Sequence, residues 1–132
     1  MPSKPLSGTK IFLIENHENL RSLIARFLEA QGAKVFMYSV ATDIIADLRR
    51  ESPALVLLDL CGLEFPGFQL LEQIRTLDSE FGRKTPVLAI GGLGDIIGHR
   101  KASAAGFSSY LQVPFSPNQL MRAIKSALNL QE

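Results

Sequence analysis

The chain is poor in the residues that build covalent or metal-held frameworks: it has one cysteine, Cys61, no tryptophan, and two histidines. One thiol excludes an internal disulfide. His99 has no Cys or His at ligand spacing, which argues against a zinc site, and His17 reads as a solvated loop residue. Cys61 has no evident cation nearby to lower its pKa, so a small packing residue is the plainer reading than a redox thiol. No apolar run approaches the length of a membrane span or of a signal peptide's core, and the expected location is a reducing cytoplasm. A formal net charge of +1 gives no electrostatic ground for nucleic acid or an anionic membrane as partner. Internal repeats and long linkers are absent too.

What is present is an ordinary globular composition, 46% hydrophobic and 20% charged over 132 residues, enough for one domain with its own core. The opening "MPSKPLSGTK" is polar and rich in Pro, Ser and Gly, so residues 1–8 are expected to be a flexible arm and 9–132 the folded domain. Two hydrophobic periods then alternate. "KIFLIE" (10–15), "KVFMY" (34–38), "ALVLL" (54–58), "PVLAI" (86–90) and "SSYLQV" (108–113) read as strands. Between them lie helical stripes: Leu20, Leu23, Ile24, Phe27 and Leu28 closed by Gly32; Ile44, Ile45 and Leu48, with Ser39 as N-cap; Phe68, Leu71 and Ile74; and a weaker helix from about 95 to 105 closed by Gly106. The last helix opens on Ser116, Pro117, Asn118 and Gln119, a capping box with Pro at N1, and Phe115 can staple to Leu120.

Five strands alternating with five helices predict an α/β fold, a doubly wound, five-stranded parallel sheet covered on both faces, and the flavodoxin-like form of such a sheet, with order 2-1-3-4-5, is the expected one. In such a sheet the C-terminal strand ends face the ligand crevice. Asp59 ends the third strand, Glu15 ends the first, and Asn16 follows it, so the three converge if those strands are neighbours. An oxygen-rich cluster of this kind suits a hard cation such as Mg²⁺. Acids at strand ends are also explained by solvation alone, and the two readings stand side by side.

The stretches "IFLIEN", "LVLLDL", "PVLAI" and above all "AGFSSYLQVPF", with Gly67 eight residues after the acid, resemble the receiver domain of bacterial two-component response regulators over residues 9–129. The resemblance implies a signalling module and not an enzyme. It makes Asp59 the phosphoacceptor, fed by a histidine kinase or phosphotransfer protein. Glu15, Asn16, Asp59 and the carbonyl of Cys61 become the Mg²⁺ ligands. Tyr110 becomes the signalling aromatic, on a face made with the helix at 95–105 and the last helix; that face would dock a downstream protein target or a second copy of the chain. It also implies a cis bond between Val113 and Pro114.

Departures from the pattern fall on the phosphoryl group. Val113 stands where the family has Lys, and Gly91 where it has Thr or Ser. Each removes a positioned electrostatic contact, and a missing contact of that type costs roughly 3 kcal/mol in the transition state. Asn16 removes a negative charge as Val113 removes a positive one, so the net pocket charge is conserved while Mg²⁺ affinity is expected to be weakened. Gly91 and Gly92 begin the run "GGLGD", which reads as a turn or as a nest of amide donors. Two functions follow. One is an inefficient phosphoacceptor receiver, preferred because Asp59 remains; the other is a pseudo-receiver, a phosphorylation-independent protein-interaction module. A flavin- or nucleotide-binding flavodoxin-like enzyme ranks behind both. Since the chain stops at Glu132, just past the last helix, it reads either as a stand-alone receiver or as a piece of a longer regulator.

Overall fold

All five residues of the third strand, β3 (Leu55–Asp59), are buried, as are those of β4 (Val87–Gly91). A strand buried on both sides belongs in the middle of a parallel sheet, and that is where both lie. The computed structural model describes residues 4–39, 44–60, 67–77, 84–92, 100 and 104–130. Its remaining strands are β1 (Lys10–Ile14), β2 (Lys34–Tyr38) and β5 (Ser109–Gln112), and all pair in parallel in the order β2-β1-β3-β4-β5. Among the described residues four helices are defined: α1 (Glu18–Ala30), α2 (Ile45–Glu51), α3 (Gly67–Arg75) and α4 (Pro117–Ala127). The helix expected near 95–105 lies largely outside them.

The alternation of side chains along each strand divides the core in two. Ile11, Leu13, Leu55, Leu57, Leu88 and Ile90 meet α1 and α4 through Ile24, Leu28, Leu120 and Ile124. Phe12, Ile14, Val56, Leu58, Val87 and Ala89 meet α2 and α3 through Leu48, Leu71 and Ile74. This two-sided covering is the doubly wound architecture the alternating periods predict. The last helix starts as its sequence dictates: Gln119 N–H donates to Ser116 Oγ at 3.1 Å and Ser116 N–H to Gln119 Oε1 at 2.7 Å. Phe115 packs against the cluster that contains Leu120, as the staple requires.

Three local expectations are corrected. Residues 4–8 are not loose: Lys4 to Gly8 make a turn, Leu6 is fully buried, and its N–H donates to the Gln31 carbonyl at 2.8 Å. The turn fits because Gly32 has no Cβ, which would come 2.9 Å from Ser7 N, and because Gly32 adopts φ +101, a conformation natural only to glycine. Leu23 is 66% exposed, so the buried stripe of α1 narrows to Ile24, Ala25 and Leu28. Ser39 sits in the bend after β2, and α2 starts from Ile44 without a side-chain cap. Instead, α2 is tied down from the side: Tyr38 Oη donates to Asp47 Oδ2 at 2.8 Å, and Lys10 pairs with Glu51 at 3.1 Å.

Candidate functional site: a buried carboxyl pair at the C-terminal rim

Register brings the two acids together. Ile14 pairs with Leu58, so the next residue on each chain, Glu15 and Asp59, ends its strand on the same rim. Glu15 is held one step past β1 by its N–H, which donates to the Tyr38 carbonyl at 2.9 Å. Its carboxyl is fully buried, and Asp59 is only 3% exposed. Alternation turns both toward the α1 side of the sheet, under the start of that helix.

Two further contacts hold Glu15 in place. The His17 N–H donates to Oε2 at 3.0 Å, and the Arg21 guanidinium donates to the Glu15 carbonyl at 2.8 Å. His17 itself is the N-cap of α1, its Nδ1 accepting the Leu20 N–H at 3.3 Å. It is the exposed residue outside the helix that its sequence suggests, and it caps α1 as well. Neither role had a sequence signal, since histidine is outside the usual capping set and Arg21 lies on the polar face of a helix.

Glu15 Oε1 is buried and meets no donor among the described residues; the group it approaches is the Asp59 carboxyl, another acceptor. Two buried carboxylates in hydrogen-bonding reach cannot both be charged cheaply, so either a proton or a cation must stand between them. Burial first, then the Asp59 neighbour, pushes the Glu15 carboxyl up to about 8, with the His17 N–H and the Arg21 charge opposing. An all-oxygen site with an orphaned buried lone pair fits a hard cation of the Mg²⁺ type. Asn16, the next residue after Glu15, is exposed. Among the described residues no cluster of three or more His, Cys, Asp or Glu forms, so the acidic donor count is low. Cys61 lies outside the described residues, as does the "LGD" part of the glycine run.

The other expected pocket residues divide between the two faces of the sheet. Val113, just past β5, packs against the α1–α4 cluster on the same side as the acids, and its N–H donates to the Gly91 carbonyl at 2.7 Å. The Val113–Pro114 bond is cis. Gly91 and Tyr110 lie on the opposite side, where Tyr110 packs against the α2–α3 cluster. Gly92 is half-buried with open space where a Cβ would stand. A groove of about 270 Å³ opens between α1 and the start of α4, lined by Leu20, Leu23, Pro114 and Phe115 among others.

Comparison with known proteins agrees with this frame. The chain is 28% identical to an uncharacterised 14.6 kDa protein of Leptolyngbya boryana, over 91% of this chain and 90% of that one. It is 29% identical to the regulatory protein VanRc of Enterococcus gallinarum over 90% of its own length, but it spans only 49% of that relative. In structure it superposes with a TM-score of 0.80 on the receiver domain of sensor histidine kinase PA1611 from Pseudomonas aeruginosa, at 23% identity, covering 93% and 99% of the two chains. That crystal structure holds a magnesium ion coordinated in its active site cleft. With the buried acids at the rim of a 2-1-3-4-5 parallel sheet, and a family match over residues 11–125, the chain belongs to the response regulator receiver domain family.

Proposed function

We propose that this chain is a receiver that takes a phosphoryl group onto Asp59 slowly and acts through protein contact, as a signalling module and not as an enzyme. The observation that carries the reading is the buried Glu15–Asp59 pair, whose orphaned Oε1 asks for a cation. Glu15, Asn16, Asp59 and the Cys61 carbonyl are the candidate holders of Mg²⁺, which when bound would neutralise charge on the phosphoryl oxygens. In the transfer, the N–P bond of a phosphohistidine on the donor protein breaks as an Asp59 Oδ–P bond forms, and the histidine leaves as a neutral imidazole after taking up a proton. Glu15 orients the pair while held by His17 N–H and Arg21. The low rate follows from Val113 and Gly91, which supply neither a cation nor a hydroxyl to the transferring group. The apolar groove beside α1 is a ready contact for the donor, a histidine kinase or phosphotransfer protein of the cytoplasm.

A second reading has its own support. Val113 is half-buried against the core and offers nothing polar to the acid side of the rim, so a binding module without phosphorylation uses the same fold. Intact mass after incubation with Mg²⁺ and a small phosphodonor separates the two. One added phosphoryl group, missing in Asp59→Asn, supports the receiver; no added mass, with no change of Tm on adding Mg²⁺, supports the binding module.

A further inference from the structure

β4 presents two small side-chain positions, Ala89 and Gly91, on the face that packs toward α2 and α3. Ala89 pairs in register with Tyr110, and Gly91 lies two residues further along the same face, a diagonal neighbour within reach of an aromatic ring. The ring uses that reach. A Cβ built on Gly91 falls inside the contact radius of Tyr110 Oη and Cζ and stands 2.7 Å from Cε2, where ordinary carbon contacts begin at about 3.5 Å. Gly91 is absent from the glycines of this chain with positive φ, so space and not backbone freedom is what glycine supplies there. The neighbouring Gly92 has nothing within 4 Å of an added Cβ. The Tyr110 hydroxyl oxygen is buried at the end of this trough.

We propose that Gly91 is a socket that holds the Tyr110 ring inward at all times, so that the surface shaped by β4 and β5 has one state and does not answer to chemistry at Asp59. Register sets the path. Asp59 pairs with Ile90, Gly91 is the next residue of β4, and Gly91 has no side chain with which to pass a displacement from the acid rim to Tyr110. A modification shifts a population only through differential contact with two states, and Gly91 offers a modified Asp59 no side chain with which to make that contact with Tyr110. A partner that reads this surface therefore binds the unmodified chain as well as the modified one. This goes beyond phosphoryl acceptance and stands whether or not Asp59 is ever modified.

The test is a double-mutant cycle in the full chain with Gly91→Ala, Tyr110→Ala and the double variant, read by Tm and by the Tyr ring signals in NMR. The chain has two tyrosines, so Tyr38 is an internal reference. Gly91→Ala is expected to lower Tm by about 5 °C or more and to expose the Tyr110 ring to a soluble paramagnetic probe, and to cost less than half as much in the Tyr110→Ala background. Failure of Gly91→Ala to fold while the double variant folds supports the socket equally. Equal losses in both backgrounds, or failure of both to fold, would overturn it. In wild type with added Mg²⁺, and in Asp59→Asn, the Tyr110 ring is expected to stay shielded; attenuation rising to the level seen in Gly91→Ala contradicts a single state.

Discussion

Glu15 and Asp59 end neighbouring strands with their carboxyl groups buried and in hydrogen-bonding reach of each other, while Glu15's other oxygen accepts from the His17 N–H. The pair is a gap waiting for positive charge, and several expectations can be drawn from it and from the packing around it.

The first concerns pH. Burial raises Glu15 from the usual 4.5 to about 8, so the folded chain keeps a proton there that the unfolded chain has released. The stability this contributes is complete below the unfolded value and is lost as pH rises through the folded one. With a chelator present, Tm is expected to fall between about pH 5 and pH 8, and Glu15→Gln flattens that slope. Mg²⁺ must displace the proton, so its affinity, followed by titration calorimetry, rises toward tenfold per pH unit in this window.

Val113→Lys restores a cation beside the acid pair. Phosphoryl incorporation at Asp59 from a small phosphodonor, followed by intact mass over time, is expected to speed up by about 100-fold. Because Val113 packs against the α1–α4 core, the variant also loses some stability in urea. An unchanged rate in a folded variant counts against Asp59 as a phosphoacceptor.

Leu6 tests the anchored turn. Its side chain is fully buried in the α1–α4 cluster, and Leu6→Ala is expected to cost about 2–5 kcal/mol in urea unfolding, as for other buried leucines. A loss under about 0.5 kcal/mol, the usual level of a surface change, would return residues 4–8 to the status of an arm.

Ser116→Ala removes one half of the capping box and is expected to destabilise by about 1 kcal/mol, with α4 amides exchanging faster. Gln119→Ala, which removes the reciprocal contact, tests whether the two bonds act together.

The resemblance and the hydrophobic periods carry much of the fold. Unbroken apolar runs such as Leu55–Leu58 need cover on two faces, and a doubly wound sheet of five strands provides it with helices on either side. The box at Ser116 was legible because its bonds lie within four residues. The cap at His17, the Arg21 bond and the buried Leu6 were not, since each depends on a partner or an environment that residue types alone do not specify.

Sequence by itself determined the strand and helix alternation, the acids at two strand ends, and the missing Lys and hydroxyl at Val113 and Gly91, because these depend on residue identity and local period. Only the tertiary structure decided that the acids meet with an oxygen left over and that Tyr110 fills the volume Gly91 vacates. Register between strands distant in sequence sets which atoms share space, and desolvation and steric exclusion act on that shared space, not on the order of residues along the chain.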